Sequence, residues 1–306
     1  MSAGDLPRGS ASTARRGRLS VAGSLAAVVA VLLATAGTAA ASSGPSGPRP
    51  DRWHLVGSTQ VDGATSNQGL ATVRVAGSAH LYFTGNGTVP DALRAQGWGH
   101  IGDPDSARGY LFDAYQYTAS DPTSKMFYVT TPDGRQYPYV HPLAPGELMN
   151  NSYAAVSPDG QWLVSGEWET MTRLLVLPTP ILNHATGPAG GTLPLAGQIL
   201  LNRPVRDVQG CDFESSTRLL CGTDDPDTDL FPTSRQLLRI DLVAPLRGHD
   251  VVGRVTSLGA LPMRSDCAGT FETEGIDVDP ITRTLRVEVV PPSPCDAQTT
   301  VYTFRS

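Results

Sequence analysis

The sequence contains a single lysine, Lys125, and no excess of basic charge, since its net charge is −6 at pH 7. A nucleic acid or an anionic lipid surface needs a basic face on the protein that binds it, so neither is expected as a partner. Sustained helical periodicity is also missing, because the apolar residues fall in short runs bounded by glycine, proline, aspartate and asparagine. This pattern predicts an all-β fold.

The sequence also lacks the short motifs of several enzyme classes. It contains no G-x-S-x-G nucleophile elbow, no H-E-x-x-H zinc motif and no glycine-rich phosphate loop. The histidines are scattered along the chain, so their spacing does not indicate a catalytic set. No catalytic residue is therefore assigned from motifs.

Cysteine is absent from the first two thirds of the chain, and Cys211, Cys221, Cys267 and Cys295 all lie in the last third. There is no C-x-x-C pair and no histidine close by, so zinc binding is disfavoured. An even number of cysteines in an exported chain predicts two disulfides, for which three pairings are possible. We favour Cys211–Cys221, which would join two neighbouring antiparallel strands, and Cys267–Cys295.

One long apolar run, residues 21–37, follows an arginine-rich start and precedes a small-residue segment that ends at Ala41. The run is shorter than the roughly 20 apolar residues that span a bilayer. This order predicts a cleaved signal peptide over residues 1–41 rather than a membrane anchor, and hence a protein secreted to the cell wall or beyond. Export is expected through the Sec route, or through the Tat route in view of Arg15 and Arg16. No stable membrane insertion is expected after cleavage. Removal of residues 1–41 makes the net charge more negative by three.

Residues 42–51, rich in Ser, Gly and Pro, are predicted to be a flexible leader, and residues 52–306 are predicted to form a single domain built from repeats. Five segments share one pattern: a small residue, a short strand, a polar turn and a more apolar strand. They begin at Gly69, Gly102, Ala154, Gly210 and Gly275. Most intervals between these starts have room for four strands, the unit of a β-propeller blade. The sequence therefore predicts a five-bladed β-propeller, with six blades as the alternative and a β-sandwich or barrel as the competing fold.

The first interval and the two ends of the chain add detail to this fold. Residues 86–101 cannot supply two good strands, so the first blade is expected to be truncated or irregular. Residues 53–57 (WHLVG) read as a strand with no early partner. We expect this strand to join the last blade, which would close the ring and cover an open sheet edge.

In a propeller the innermost strands line a central channel, and ligands bind at its mouth. The polar residues around the repeat starts are therefore the candidate ligand-binding set: Gln68, His100, Asp103, Tyr153, Glu167, Trp168, Gln209 and Glu274. Trp168 between two glutamates offers a flat surface beside hydrogen-bond acceptors, a combination that suits sugars and other polyols. The alternative is that the set hydrogen-bonds within itself and to channel water, with Trp168 packed on a neighbouring blade.

Two groups of residues are candidate ligands for a divalent metal ion, although neither group requires one. Glu274, Asp103 and His100 are the candidate ligands in the channel. Residues 224–229 (DDPDTD) place carboxylates at alternate positions, as calcium loops do, but lack the glycine and the closing glutamate of an EF-hand. No cofactor is firmly implied, and Ca²⁺ is the example considered.

Five segments carry a resemblance to a known group of proteins: SNQGLAT (66–72), WGHIGDPD (98–105), SYAAVSPDGQWLVSGEW (152–168), VQGCDF (208–213) and TEGIDVDP (273–280). They resemble bacterial exported β-propellers with QG, HIGD and EG signatures, and more distantly the SMP-30/gluconolactonase/strictosidine-synthase-like superfamily. In its lactonase branch the resemblance implies a channel metal held by Glu, Asn and Asp. Only Glu274 has an approximate match, and it lies in the last repeat rather than the first.

These features favour a non-catalytic secreted propeller that binds a small polar ligand or an extracellular partner protein at the channel mouth. A metal-dependent lactonase-like hydrolase, with Glu274, Asp103 and His100 as metal ligands, is the alternative. A structural extracellular interaction module is a third hypothesis.

Overall fold

The short apolar runs fold as strands in a computed structural model that describes residues 53–120, 122–150, 153–263, 265 and 267–306. The predicted signal peptide, residues 1–41, and the leader, residues 42–51, lie outside the described residues. Within the described ranges, helix is confined to α1 (Asp91–Arg94) and a 3₁₀ turn at Asn86–Thr88. The all-β prediction is confirmed. No helix in this part of the chain is long and apolar enough to cross a membrane.

The strands form five groups in chain order, and the first two groups come from residues 69–142. The first group pairs β2 (Gly69–Val75) with β3 (Ser78–Thr84). The second group contains β4 (Trp98–Ile101), β5 (Asp105–Ala107), β6 (Tyr110–Tyr117), β7 (Ser124–Thr130) and β8 (Gln136–Pro142). A short later strand, β12 (Gly191–Thr192), pairs in parallel with the edge of β8. The 3₁₀ turn and α1 occupy the first interval where strands were not expected.

The third and fourth groups form one eight-stranded sheet. The third contains β9 (Ala155–Val156), β10 (Trp162–Ser165), β11 (Thr170–Pro178) and β13 (Gly197–Arg206). The fourth contains β14 (Val208–Ser215), β15 (Arg218–Thr223), β16 (Gln236–Leu242) and β17 (Val251–Ala260). The outer strands β13 and β17 pair in parallel and thereby join the two groups. All neighbouring strands within each group are antiparallel.

The fifth group contains both ends of the domain. It comprises β18 (Glu272–Asp279), β19 (Thr284–Val290), β20 (Gln298–Arg305) and the N-terminal strand β1 (His54–Asp62). β1 runs antiparallel to β20 over its whole length, with His54 opposite Arg305 and Asp62 opposite Gln298. The N-terminal strand thus pairs with the last one, as the ends of the sequence predict.

Apolar side chains at alternate strand positions fill the spaces between the groups. The largest cluster lies between the third and fourth groups and includes Val164, Leu174, Phe213 and Leu238. Both favoured disulfide pairings are confirmed: Cys211–Cys221 lies within this cluster and Cys267–Cys295 closes the loop before β20. The first of these joins residues directly opposite one another on β14 and β15. The described residues therefore form a propeller-like all-β fold.

Candidate functional site

A cleft of about 410 Å³ opens where the innermost strands begin. Its lining is mostly polar and comprises Gln68, His100, Gln116, Thr118, Asn150, Trp168, Gln209, Asp224, Glu272 and Glu274. Five of the eight residues expected at the channel mouth are in this set, namely Gln68, His100, Trp168, Gln209 and Glu274. Four of these precede a repeat start, so the repeat places them at the same end of the innermost strands.

Two carboxyl groups of β18, those of Glu272 and Glu274, line this cleft. Glu272 is exposed, whereas Glu274 is buried with 4% of its surface accessible. Burial, followed by the negative charge of Glu272, raises the pKa of Glu274 well above its usual range. The raised pKa favours the protonated form of Glu274 over its carboxylate.

A third carboxyl group, Asp224, follows directly after β15. Its Oδ1 accepts hydrogen bonds from the Thr273 backbone N–H at 2.9 Å and from Arg235 Nε at 2.8 Å. Burial raises the pKa of Asp224 to about 6 despite these donors. The cleft therefore contains an aspartate that is mostly ionised at neutral pH and a glutamate whose protonated form is favoured by burial.

The remaining polar groups are neutral. Asn150 Nδ2 donates to Gln116 Oε1 at 3.3 Å, and Gln116 lies opposite His100 in the β4–β6 pair. Burial lowers the pKa of His100, which keeps its imidazole uncharged at neutral pH. Amides and a neutral imidazole can both donate and accept hydrogen bonds, as a ligand with many hydroxyl groups requires.

Trp168 provides the aromatic surface of the cleft and is half-buried. The preceding residue, Glu167, fixes the loop by accepting two hydrogen bonds from Arg173, at 2.8 and 3.0 Å, and one from the Leu148 N–H at 2.9 Å. A flat ring next to hydrogen-bonding side chains matches the alternating apolar and polar faces of a sugar.

Three residues expected at the channel mouth do not line the cleft. Asp103 lies at the centre of the repeats, where its oxygens accept hydrogen bonds from the N–H groups of Leu70 at 3.0 Å and Ile276 at 3.1 Å. Tyr153 is fully buried in the apolar core. Glu167 is 5% exposed, and its carboxylate is occupied by Arg173. All three side chains point into the protein rather than into the cleft.

The structure does not assemble the expected metal sites. In the ranges that the structure describes, no group of three or more His, Cys, Asp and Glu side chains is placed to hold a metal ion. The carboxylate oxygens of Asp103 accept hydrogen bonds from backbone N–H groups, so Asp103 does not form a metal site with Glu274 and His100. In the acidic loop, Arg206 forms ion pairs with three carboxylates, those of Asp225, Asp227 and Asp229. A guanidinium thus stands where a calcium ion was considered.

Five lining residues were not among the expected set: Gln116, Thr118, Asn150, Asp224 and Glu272. Asp224 begins the acidic segment 224–229 noted above, and Glu272 lies two residues before Glu274, so a search for acids at both ends of the strands would have found them. Gln116 and Thr118 lie at the end of a second strand, and nothing in their local sequence marks them.

No protein-family model and no curated protein matches the chain, so the superfamily named from the short motifs is not supported. Solved structures show a similar architecture. A glycosyl hydrolase from Bacteroides ovatus is 12% identical, with a TM-score of 0.41 over 70% of this chain and 67% of that chain. A putative glycosidase from Bacteroides thetaiotaomicron is 12% identical, with a TM-score of 0.41 over 73% and 74%.

A third solved structure comes from the GH130 family of mannoside phosphorylases, said to contain glycoside hydrolases that target β-1,2 mannosidic linkages in Candida mannan. It is 12% identical, with a TM-score of 0.39 over 71% of this chain and 68% of that chain. Against the prediction of a non-catalytic binding protein, the names of all three structures are those of carbohydrate-active enzymes. The comparison concerns architecture, and the chemistry of the cleft follows from its own geometry.

Proposed function

We propose that this protein hydrolyses glycosidic bonds of a saccharide bound in the cleft, with Glu274 as general acid and Asp224 as general base. The observation that carries the proposal is the meeting of three carboxyl groups in one cleft, with Glu274 buried, Glu272 exposed and Asp224 paired with Arg235. Glycoside hydrolysis uses two carboxyl groups in opposite protonation states, one to protonate the leaving oxygen and one to activate water. Environments that move two pKa values apart are the usual means of assigning such roles.

The lining also limits the substrate. None of its ten side chains is lysine or arginine, and three are carboxylic acids. An anionic sugar such as a uronic acid would meet no cation in the cleft, so its carboxylate would lose hydration without compensation. The four amides and Trp168 instead suit a neutral sugar.

The arrangement of the groups supports a ring of five blades with the first one reduced to β2 and β3. All five repeat starts meet around Asp103, and β1 would complete the last blade and close the ring. We place the whole of residues 52–306 in this single domain. Two disulfides favour a site of action outside the cytoplasm, and we propose that the protein is exported through its N-terminal segment.

The test is hydrolysis of a panel of 4-nitrophenyl glycosides and neutral oligosaccharides, with uronic acid substrates as the comparison. We expect release of product from at least one neutral substrate and a loss of about 100-fold or more in Glu274→Gln. Saturation-transfer NMR with the same compounds reports binding independently of turnover. If no saccharide is cleaved and none binds, the proposal fails.

A further inference from the structure

The only lysine of the chain is fully buried, which is unusual for this residue type. Lys125 lies on β7, in the second group of strands, and does not line the cleft. Its Nζ donates to the Gly166 carbonyl oxygen at 3.0 Å and forms an ion pair with Glu147 Oε1 at 3.0 Å. A buried ammonium group is costly unless it is paired and hydrogen-bonded, so both partners are held closely to it.

Glu147 belongs to the loop that carries Asn150 into the cleft. Its Oε2 accepts hydrogen bonds from His141 Nε2 at 2.9 Å and from the Ala144 N–H at 3.1 Å. The side chain of Glu147 therefore holds its own loop together by hydrogen bonds. Its ion pair with Lys125 fixes that loop to β7.

Gly166 belongs to the loop that carries Trp168 into the cleft. A Cβ at Gly166 would lie 2.9 Å from the ring of Tyr153, so the backbone is packed closely at this point. The next residue, Glu167, binds the N–H of Leu148 in the loop of Asn150 at 2.9 Å. The two loops are thus linked to each other directly and to β7 through one ammonium group.

We infer that Lys125 is a positioning residue that sets the placement of Trp168 relative to Asn150, and thereby the affinity of the cleft for its saccharide. The effect on saccharide affinity rests on the proposed function, whereas the placement of Trp168 rests on the contacts of Lys125 alone. Lys125 touches neither cleft residue, so it acts through Glu147 and Gly166. Its loss should weaken ligand binding and leave the proton transfer of Glu274 unchanged.

The test replaces the ion pair as a unit, in Lys125→Met/Glu147→Gln, so that no buried charge is left alone. Arg218→Met is the matched control, because it removes ion pairs with Glu214 and Asp241 on the fourth group of strands. Labelling with 5-fluorotryptophan gives a ¹⁹F signal for each of the four tryptophans. The Trp168 signal is assigned with Trp168→Phe.

We expect the Trp168 signal to shift and broaden in the double variant and to remain unchanged in Arg218→Met. With a cleaved 4-nitrophenyl glycoside, KM should rise by about 10-fold or more while the pH profile of kcat stays the same. An unchanged Trp168 signal, or an unchanged KM in an active enzyme, would overturn the inference. If the wild-type protein cleaves no glycoside, the ¹⁹F signal still decides whether Lys125 places Trp168, so the two proposals fail separately. Should the double variant not fold, Lys125→Met alone gives the same test, because Glu147 keeps its hydrogen bonds from His141 and the Ala144 N–H.

Discussion

The carboxylate of Asp103 occupies the space that a side chain on Gly275 would need: an ideal Cβ there would lie 2.1 Å from Asp103 Oδ1. Gly69 and Gly210 stand in the same relation to this carboxylate, at 2.4 and 2.3 Å. The backbone N–H of Ala154 donates to the Asp103 carbonyl oxygen at 2.9 Å. Glycine at these three repeat starts is therefore required by one acidic side chain on which the repeats converge.

Gly275→Ala should consequently destabilise the fold severely. The new methyl group would meet Asp103 and also the Cα of Gly69 at 2.5 Å, and backbone atoms cannot move aside as a flexible side chain can. We expect a loss of roughly 3 kcal/mol or more in the free energy of unfolding, measured by urea denaturation. Gly57→Ala is the control, since nothing lies within 4 Å of a Cβ at that position. Equal stability of the two variants would show that Asp103 is not fixed where the structure has it.

Asp113 should make the protein less stable as the pH rises toward neutrality. Burial raises the pKa of Asp113 from 3.8 to about 7, so the folded state binds a proton more tightly than the unfolded chain does. Stability is then fully present at low pH and falls between about pH 4 and pH 7, by roughly 4 kcal/mol at most for this group. Asp113→Asn removes the titration and retains an acceptor for the Tyr82 hydroxyl.

The measurement is the free energy of unfolding against pH for wild-type protein and Asp113→Asn. The curve of the variant should be flatter over this range, so that the variant gains on the wild type as the pH rises. Parallel curves would show that Asp113 titrates in its ordinary range.

Glu288 should be replaceable by an apolar side chain with a gain in stability. It is fully buried on β19, and neither carboxyl oxygen has a hydrogen-bond partner within the described protein. Burial raises its pKa well above the usual range, which favours the neutral form of this unpaired side chain. Glu288→Met should increase the free energy of unfolding by about 1–3 kcal/mol, the usual cost of an unsatisfied buried polar group. A loss of stability would instead show that the carboxyl group holds a partner in solution.

Strands and repeats, which depend on neighbouring residues, can be predicted from the sequence, whereas contacts between residues distant along the chain cannot. Alternating apolar residues and a small residue at each start predict the strands and the repeat, because both patterns act over a few positions. The role of Asp103 depends on Gly275, which is far along the chain, and by residue type alone an aspartate at a channel mouth indicates a ligand. The burial of Lys125 could not be predicted from the sequence either, because lysine is normally exposed and only the fold supplies Glu147.

The pH dependence of catalysis gives a direct test of the roles assigned to the three acids. General base catalysis requires ionised Asp224, so kcat/KM should rise through about pH 6. General acid catalysis requires protonated Glu274, so the rate should fall again above its raised pKa. Because the negative charge of Glu272 contributes to that rise, Glu272→Gln should move the falling limb of the profile to lower pH. The rising limb should move much less, since burial is the main cause of the pKa of Asp224. Profiles of kcat/KM that coincide for wild-type protein and Glu272→Gln would refute the pairing of the two glutamates as the source of the catalytic proton.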